Sequence, residues 1–390
     1  MTLSMSKVTP ISNCLLSTIC KCVKRGDFAV VLISLDRTHR LLNTMWRFLL
    51  LFSQIVLIIP ARTSPVKKEP TCKNLDGYNV CQNKGVLVEV TRRHFENRLH
   101  INDMDLLAIR EDAFKNVTVT HLNLNEGNRI SVLTRGSFHG LPNLKRLDLD
   151  SNVVSLSEHL FAELPKLEAL LLSFNKINAI PKDSFAGLSS LMWLYLSNND
   201  IPAIEEESFS NLNPGLLYLW LNNNKISHVA PGAFAELTEL NRLHLDDNQL
   251  QILPSGAFRG LNKLEFLYLD HNLITSVSRT LFSDLVSLKK LHFGHNKISS
   301  LEPGTFQDVS QLEDLPLNGN KLSHIKVGTF AGLSKLKYLI LSDNNIHTVD
   351  NGAFSDLVEL QSLDLTSNNI TEIDKKISGL SSEVSVFLTP

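Results

Sequence analysis

Three groups of residues in this chain could do chemistry by their type and spacing. The first is a set of acids and imidazoles placed 24 residues apart, Asp247, His271 and His295; carboxylate and imidazole together suit zinc or a similar ion. The second is cysteine. Cys14, Cys20 and Cys22 cluster near the start without a fourth partner or a zinc-type spacing, and Cys72 and Cys81 follow as a separate pair. The third is a run of large rings, Trp193, Tyr195, Tyr218, Trp220, Phe266 and Tyr268, interleaved with Arg242, His244 and His292 and bordered by Asp246 and Asp270. Amphipathic rings with an arginine among them bury much area at small entropic cost and keep a polar handle, which is binding chemistry rather than catalysis. No HExxH, GxSxG or GxxxxGKS/T run occurs, and no cysteine has an evident base partner. The chain is therefore read as a non-enzyme without a cofactor. The acid and imidazole set reads as a solvated polar rim, and no metal site is assigned. Because histidine titrates near neutrality, that rim predicts ligand affinity that changes between mildly acidic and neutral pH.

A repeat positions these residues. Asparagine recurs every 23 to 25 residues, at Asn128, Asn152, Asn175, Asn199, Asn224, Asn248, Asn272, Asn296, Asn320, Asn344 and Asn368. Eleven of the 19 phenylalanines keep the same beat from Phe114 to Phe354. One unit, such as Leu264 to Asn272, is a strand and a return segment too small to enclose its own apolar side chains, so stacking must enclose them. Leucines point inward and the residues between them face outward, as strand alternation requires. The asparagine follows the strand, where a buried turn needs a side chain that both accepts from and donates to peptide groups. The phenylalanine fills the wider convex half.

These units resemble the typical 24-residue class of extracellular leucine-rich repeat proteins, including Toll-like ectodomains, Slit, chondroadherin-like matrix proteins and the acid-labile subunit. The resemblance covers about residues 96 to 376, roughly twelve repeats. It implies an α/β leucine-rich repeat solenoid, or horseshoe, with a parallel β-sheet on the concave face and short irregular or 3-10 segments on the convex face. Leu99-His-Ile101 with Met104 reads as a degenerate first unit, and Leu122 to Asn128 carries one extra residue. Such families carry an amino-terminal cysteine cap, usually of four cysteines. Residues 65–95 hold one pair, and the cap implies a disulfide between Cys72 and Cys81 in an oxidising compartment. After Asn368 the next phenylalanine position falls to Ile377, and residues 377–390 read as an incomplete last repeat without a cap. That apolar edge predicts either a continuing chain or a homodimer formed through it.

The amino end predicts secretion. Met45-Trp46-Arg47 is a short basic start, Phe48 to Ile59 an apolar stretch, and Ala61 with Thr63 a small-residue cleavage pattern. Residues 45–64 are thus read as a signal peptide and residues 1–44 as an upstream extension outside the mature protein; a signal anchor starting from Met1 is the alternative. The twelve-residue stretch is short for a membrane span of roughly twenty, so the mature chain is expected to have no stable membrane insertion. Arg25-Gly26-Asp27 matches an integrin-type tripeptide, but a match that short arises readily by chance. The sequons at Asn116 and Asn369 lie downstream of the signal and predict glycosylation.

Net charge is −2 with 20% charged residues, which gives no basic excess for a nucleic acid. Function is sought instead on the outward strand residues. One column reads Asn123, Asp148, Leu171, Tyr195, Trp220, His244, Tyr268, His292, Pro316, Ile340 and Asp364, and Trp193, Tyr218, Arg242 and Phe266 lie two positions earlier on the same face. Pro316, lacking an N–H, is expected to interrupt strand pairing. The reading is a secreted extracellular module that binds a protein ligand on this concave patch, as a matrix or signalling adaptor. The alternative is the ectodomain of a cell-surface or innate-immune receptor whose anchor lies beyond this chain.

Overall fold

The computed structural model describes residues 69–388 except 95 and 116, together with the backbone of three short strands, Val23–Arg25, Phe28–Val30 and Ile59–Pro60. The chain divides into two compact units, Met1–Lys68 and Glu69–Pro390. In the first, the three short strands form an antiparallel sheet. The expected signal segment, the three upstream cysteines and the Arg-Gly-Asp tripeptide otherwise lie outside the described residues, as does the sequon residue Asn116.

The second unit begins with two hairpins. Thr71–Leu75, Tyr78–Asn83 and Val86–Arg92 pair antiparallel in sequence order. Each connection is two residues long, Asp76-Gly77 and Lys84-Gly85, with all four at positive φ, the backbone that matches the twist of flanking strands. Cys72 stands opposite Cys81 in the register, and the two are joined by a disulfide, as expected. Val86–Arg92 then pairs parallel with Ala108–Ile109, which seats this small sheet on the repeats.

Beyond it runs a parallel sheet of thirteen strands among the described residues, from Arg98–His100 to Ser385–Phe387. Most are three residues long because the consensus supplies one inward leucine between two outward positions before the chain must turn. The inward leucines, such as Leu194, Leu219, Leu243 and Leu267, are fully buried. On the far side the phenylalanines are buried too and stack from coil to coil, with ring centroids 5.7 to 6.4 Å apart from Phe185 to Phe258 and from Phe282 to Phe354, allowing for the gap between those runs. Return segments are turns, two-residue strands, the 3-10 turns Arg135–Phe138 and Arg279–Leu281, and one helical turn, Lys375–Ser378. No helix among the described residues is long and apolar enough to cross a membrane.

The asparagine ladder supplies the hydrogen bonds that the strands cannot. Asn248 Nδ2 donates to Leu245 O (3.0 Å) and Asp246 O (3.1 Å) in its own coil and to Leu221 O (3.0 Å) in the coil before, while its Oδ1 accepts from Ile226 N (3.0 Å). The same pattern recurs at Asn224 and Asn272. In the unit with an extra residue, Asn128 reaches one residue further back, to Leu124 O, and Gly127 at φ 63° takes up the insertion; a side chain there would run into Asp103.

Two expectations at the carboxyl half change. Pro316 does thin the ladder, leaving Lys290 and Asp314 as the single paired residues between their strands, but Phe293 N donates to Pro316 O (2.9 Å) and pairing to the next strand is complete. Ile377 does not fill the phenylalanine position. Asp374 caps the helical turn by accepting from the N–H groups of Lys376 and Ile377, which turns Ile377 outward (55% exposed) and buries Ser378 in its place.

Candidate protein-binding face

Parallel pairing without slippage turns the outward residues of successive strands into columns. Leu171, Tyr195, Trp220, His244, Tyr268 and His292 are register partners in order, as are Ala169, Trp193, Tyr218, Arg242, Phe266 and Lys290. The step of 25 residues between Asn199 and Asn224 leaves this register intact, because Trp193 still pairs with Tyr218. Strand spacing of about 4.8 Å brings the rings of neighbouring strands within stacking reach. Centroid distances are 4.0 Å for Tyr195 and Trp220, 5.8 Å for Trp220 and His244, and 4.2 Å for His244 and Tyr268, with His292 edge-on to Tyr268 at 4.8 Å. In the second column Trp193 and Tyr218 stack at 6.2 Å, and the Arg242 guanidinium lies between Tyr218 (5.8 Å) and Phe266 (4.4 Å). Arg242 Nε is buried there without an acceptor. The rings and Arg242 are half-buried, Ala169 and Leu171 at one end of the columns are buried, and Lys290 at the other is exposed.

The acids stand where the strands end. Asp246 Oδ1 lies 3.2 Å from His244 Nδ1. Asp270 accepts from Gly294 N (2.8 Å) with one oxygen and lies 3.6 Å from His292 Nδ1 with the other. Asp314, a residue the sequence reading passed over, lies 3.8 Å from His292 Nε2 and 3.5 Å from Lys290 Nζ. Burial opposes the His292 charge, but the two carboxylates outweigh it and hold its pKa at about 9. Burial alone would raise Asp314, yet His292 and Lys290 hold it below the usual carboxylate range. His292 therefore stays cationic through mildly acidic and neutral pH. Asp314 was legible in principle: it is the column partner of Lys290, two repeats beyond Phe266 on the face that carries the rings.

The structure thus brings Trp193, Tyr195, Tyr218, Trp220, Arg242, His244, Asp246, Phe266, Tyr268, Asp270 and His292 onto one continuous face across five strands. Asp247, His271 and His295 sit just past it, each at positive φ in the turn, with the two imidazoles stacked at 4.4 Å. Among the described residues no three histidines, cysteines or acids come together to hold a metal ion. Asn369 is exposed, and its backbone N–H donates to Ile346 O.

Two hollows flank the patch on the same columns. Toward the amino end, Arg98, His100, His121, Asn123, Arg146 and Asp148 line one of about 270 Å³. Burial and the neighbouring Asp148 push Asp150, just behind it, up to about 6, and burial raises Asp148 as well. Toward the carboxyl end, Asp314, Tyr338, Ile340, Ser362, Asp364 and Phe387 line one of about 520 Å³.

The family model described as leucine rich repeat matches this chain at residues 97–154, 118–177, 165–214, 214–274, 267–322 and 310–370. Epiphycan of Homo sapiens is 43% identical over 56 residues, 14% of this chain and 17% of its own length. Podocan of Mus musculus is 32% identical over 112 residues, 28% of this chain and 14% of its own length. The chain spans less than half the length of these curated relatives. Among solved structures, one chain of a TLR13–ssRNA13 complex superposes with a TM-score of 0.64 and 31% identity over 67% of this chain and 38% of that one. A chain of the octameric complex of latrophilin 3, Unc5D and the leucine-rich repeat part of FLRT2 superposes with a TM-score of 0.63 and 26% identity, over 76% of this chain and 90% of that one.

Proposed function

The chain belongs to the leucine-rich repeat family, whose repeats it carries from residue 97 to residue 370, and on that premise we propose that it is a secreted extracellular module that holds a protein ligand against the aromatic patch of its concave face. The observation that carries this reading is the unbroken ring column from Tyr195 to His292, with Arg242 layered between rings beside it. Stacking fixes the rotamers before any ligand arrives, so little side-chain entropy remains to be lost on binding. The buried Arg242 Nε without an acceptor adds one polar group that a ligand can satisfy. The candidate acids and imidazoles already pair with one another, His244 with Asp246 and His292 with Asp270. An extracellular setting is supported by the disulfide between Cys72 and Cys81 and by the exposed Asn369 sequon. That FLRT2 stands in a complex with latrophilin 3 and Unc5D supports a protein as the ligand class.

The test is a binding screen of the secreted protein against extracellular proteins, with each hit measured again on two variants. Trp220→Ala removes the ring at the centre of the patch and is expected to cost about 2 kcal/mol, roughly thirtyfold in Kd. Val358→Ala, at a residue 72% exposed in a return segment, is expected to leave affinity unchanged. A hit that ignores Trp220→Ala and fails with Val358→Ala places the binding face elsewhere.

A further inference from the structure

Cations on the concave face are matched with partners, except at its amino end. Lys290 has Asp314, His292 has Asp270 and Asp314, His244 has Asp246, and Arg242 lies between two rings. In the same column, Arg98, His121 and Arg146 are consecutive register partners on three adjacent strands, and among the described residues none of them comes within ion-pair distance of a carboxylate, although Arg146 lowers the pKa of Asp148 and Asp150 from further off. Like charges directly opposite one another across strands are unfavourable. His121 feels this: burial and then Arg98 and Arg146 push its pKa down. Its Nδ1 is engaged by the Thr120 hydroxyl at 2.9 Å, which leaves Nε2 for the hollow. The one carboxylate lining that hollow, Asp148, is 7% exposed and turns Oδ1 back to the N–H of Asp150 (3.2 Å).

We propose that Arg98, His121 and Arg146 form an oxyanion site for a sulfate or phosphate ester, separate from the aromatic patch and three strands away from its centre. Two guanidiniums spaced two strands apart, about 9.6 Å at the backbone, can converge over the imidazole and present planar donor forks to a tetrahedral anion. The anion supplies the negative charge that this column lacks, and the site works whether or not the aromatic patch binds a protein. Protonation of His121 adds a third cation, so affinity for a sulfate ester, whose own charge does not change in this range, rises as pH falls. The groups that set this titration are Arg98, Arg146 and Lys145, which oppose the proton, and Glu168, which favours it while paired with Lys145.

The experiment is a titration of the full chain with inorganic sulfate, and separately with inorganic phosphate, followed by NMR of the His121 Cε1–H. Saturable shifts and an upward move of the His121 midpoint in sulfate are expected, with at least tenfold tighter binding at pH 5.5 than at pH 7.5. Saturation by sulfate alone assigns a sulfate ester, and saturation by phosphate alone a phosphate monoester. The double variant Arg98→Gln, Arg146→Gln should weaken binding tenfold or more. Both residues are exposed and unpaired, so circular dichroism should show an unchanged fold. Trp220→Ala should leave anion binding unchanged. Shifts that never saturate, or equal affinity in the double variant, would overturn the site.

Discussion

His292 gives the sharpest quantitative prediction, because two carboxylates from neighbouring strands face its two nitrogens. With a folded pKa of about 9 against roughly 6.5 for an unperturbed imidazole, the folded state holds a proton that the unfolded state releases. Its contribution to stability is therefore complete below pH 6.5 and is lost as pH rises through 9. At about 1.36 kcal/mol per pKa unit, a shift of about 2.5 units corresponds to about 3 kcal/mol. The contacts of 3.6 and 3.8 Å are longer than a charge-assisted hydrogen bond, which makes that figure a ceiling. Urea unfolding at pH 6.5 and pH 9.5 should show wild-type protein losing about 1 to 3 kcal/mol by the same linkage. His292→Gln should remove most of the difference, and Asp314→Asn should lower the His292 midpoint by about one unit or more. An imidazole midpoint below pH 7 by NMR, or a His292→Gln curve parallel to wild type, refutes the two-carboxylate reasoning.

Two further predictions concern buried polar groups. Asn248→Ala removes four hydrogen bonds and strands peptide groups of two coils in a site 7% exposed, so urea unfolding should show a loss of about 3 to 5 kcal/mol; a loss under about 1 would mean that the ladder is not what satisfies those groups. Asp150 runs the other way. Its folded pKa of about 6 lies above the ordinary carboxylate value because burial and then Asp148 disfavour its charge, so stability should rise as pH falls from above 6 toward 4. Asp150→Asn should accordingly stabilise the protein at pH 7.5 by up to about 3 kcal/mol and do nothing at pH 4; equal stability at both pH values in wild type would contradict this.

Scaffold positions were readable from sequence because each has one task that few side chains perform. Asn224 must donate to Leu196 O and Leu221 O while accepting from Ile201 N, and only a short amide does both, so its recurrence marks the turn directly. The columns follow from the same beat, which is why Trp193, Tyr218, Arg242 and Phe266 align from the sequence alone. Charge pairing was less legible. His292 takes Asp270 from the preceding coil and Asp314 from the following one, and a reading along one column does not show which oxygen of Asp270 is already occupied by Gly294 N. The Ile377 assignment failed for a different reason: hydrophobicity named the buried residue, but the Asp374 cap set the rotation of the turn and buried Ser378 instead.

The strand spacing also explains why the ring column is uneven. A parallel sheet sets successive backbones about 4.8 Å apart, wider than two aromatic faces in contact. The rings respond by closing in pairs, Tyr195 with Trp220 at 4.0 Å and His244 with Tyr268 at 4.2 Å, and opening to 5.8 Å between Trp220 and His244. In the second column Arg242, on the same strand as His244, leans to Phe266 (4.4 Å) and away from Tyr218 (5.8 Å), while the widest step, 6.2 Å, lies between Trp193 and Tyr218. The first column therefore parts between Tyr218–Trp220 and Arg242–His244, the boundary from which Arg242 also leans away. That boundary runs beside Trp220 and is where the Arg242 Nε lacks an acceptor. A ligand group that is flat and carries one acceptor gains most there, which is the physical reason for placing the centre of the binding face at Trp220 rather than at either end of the column.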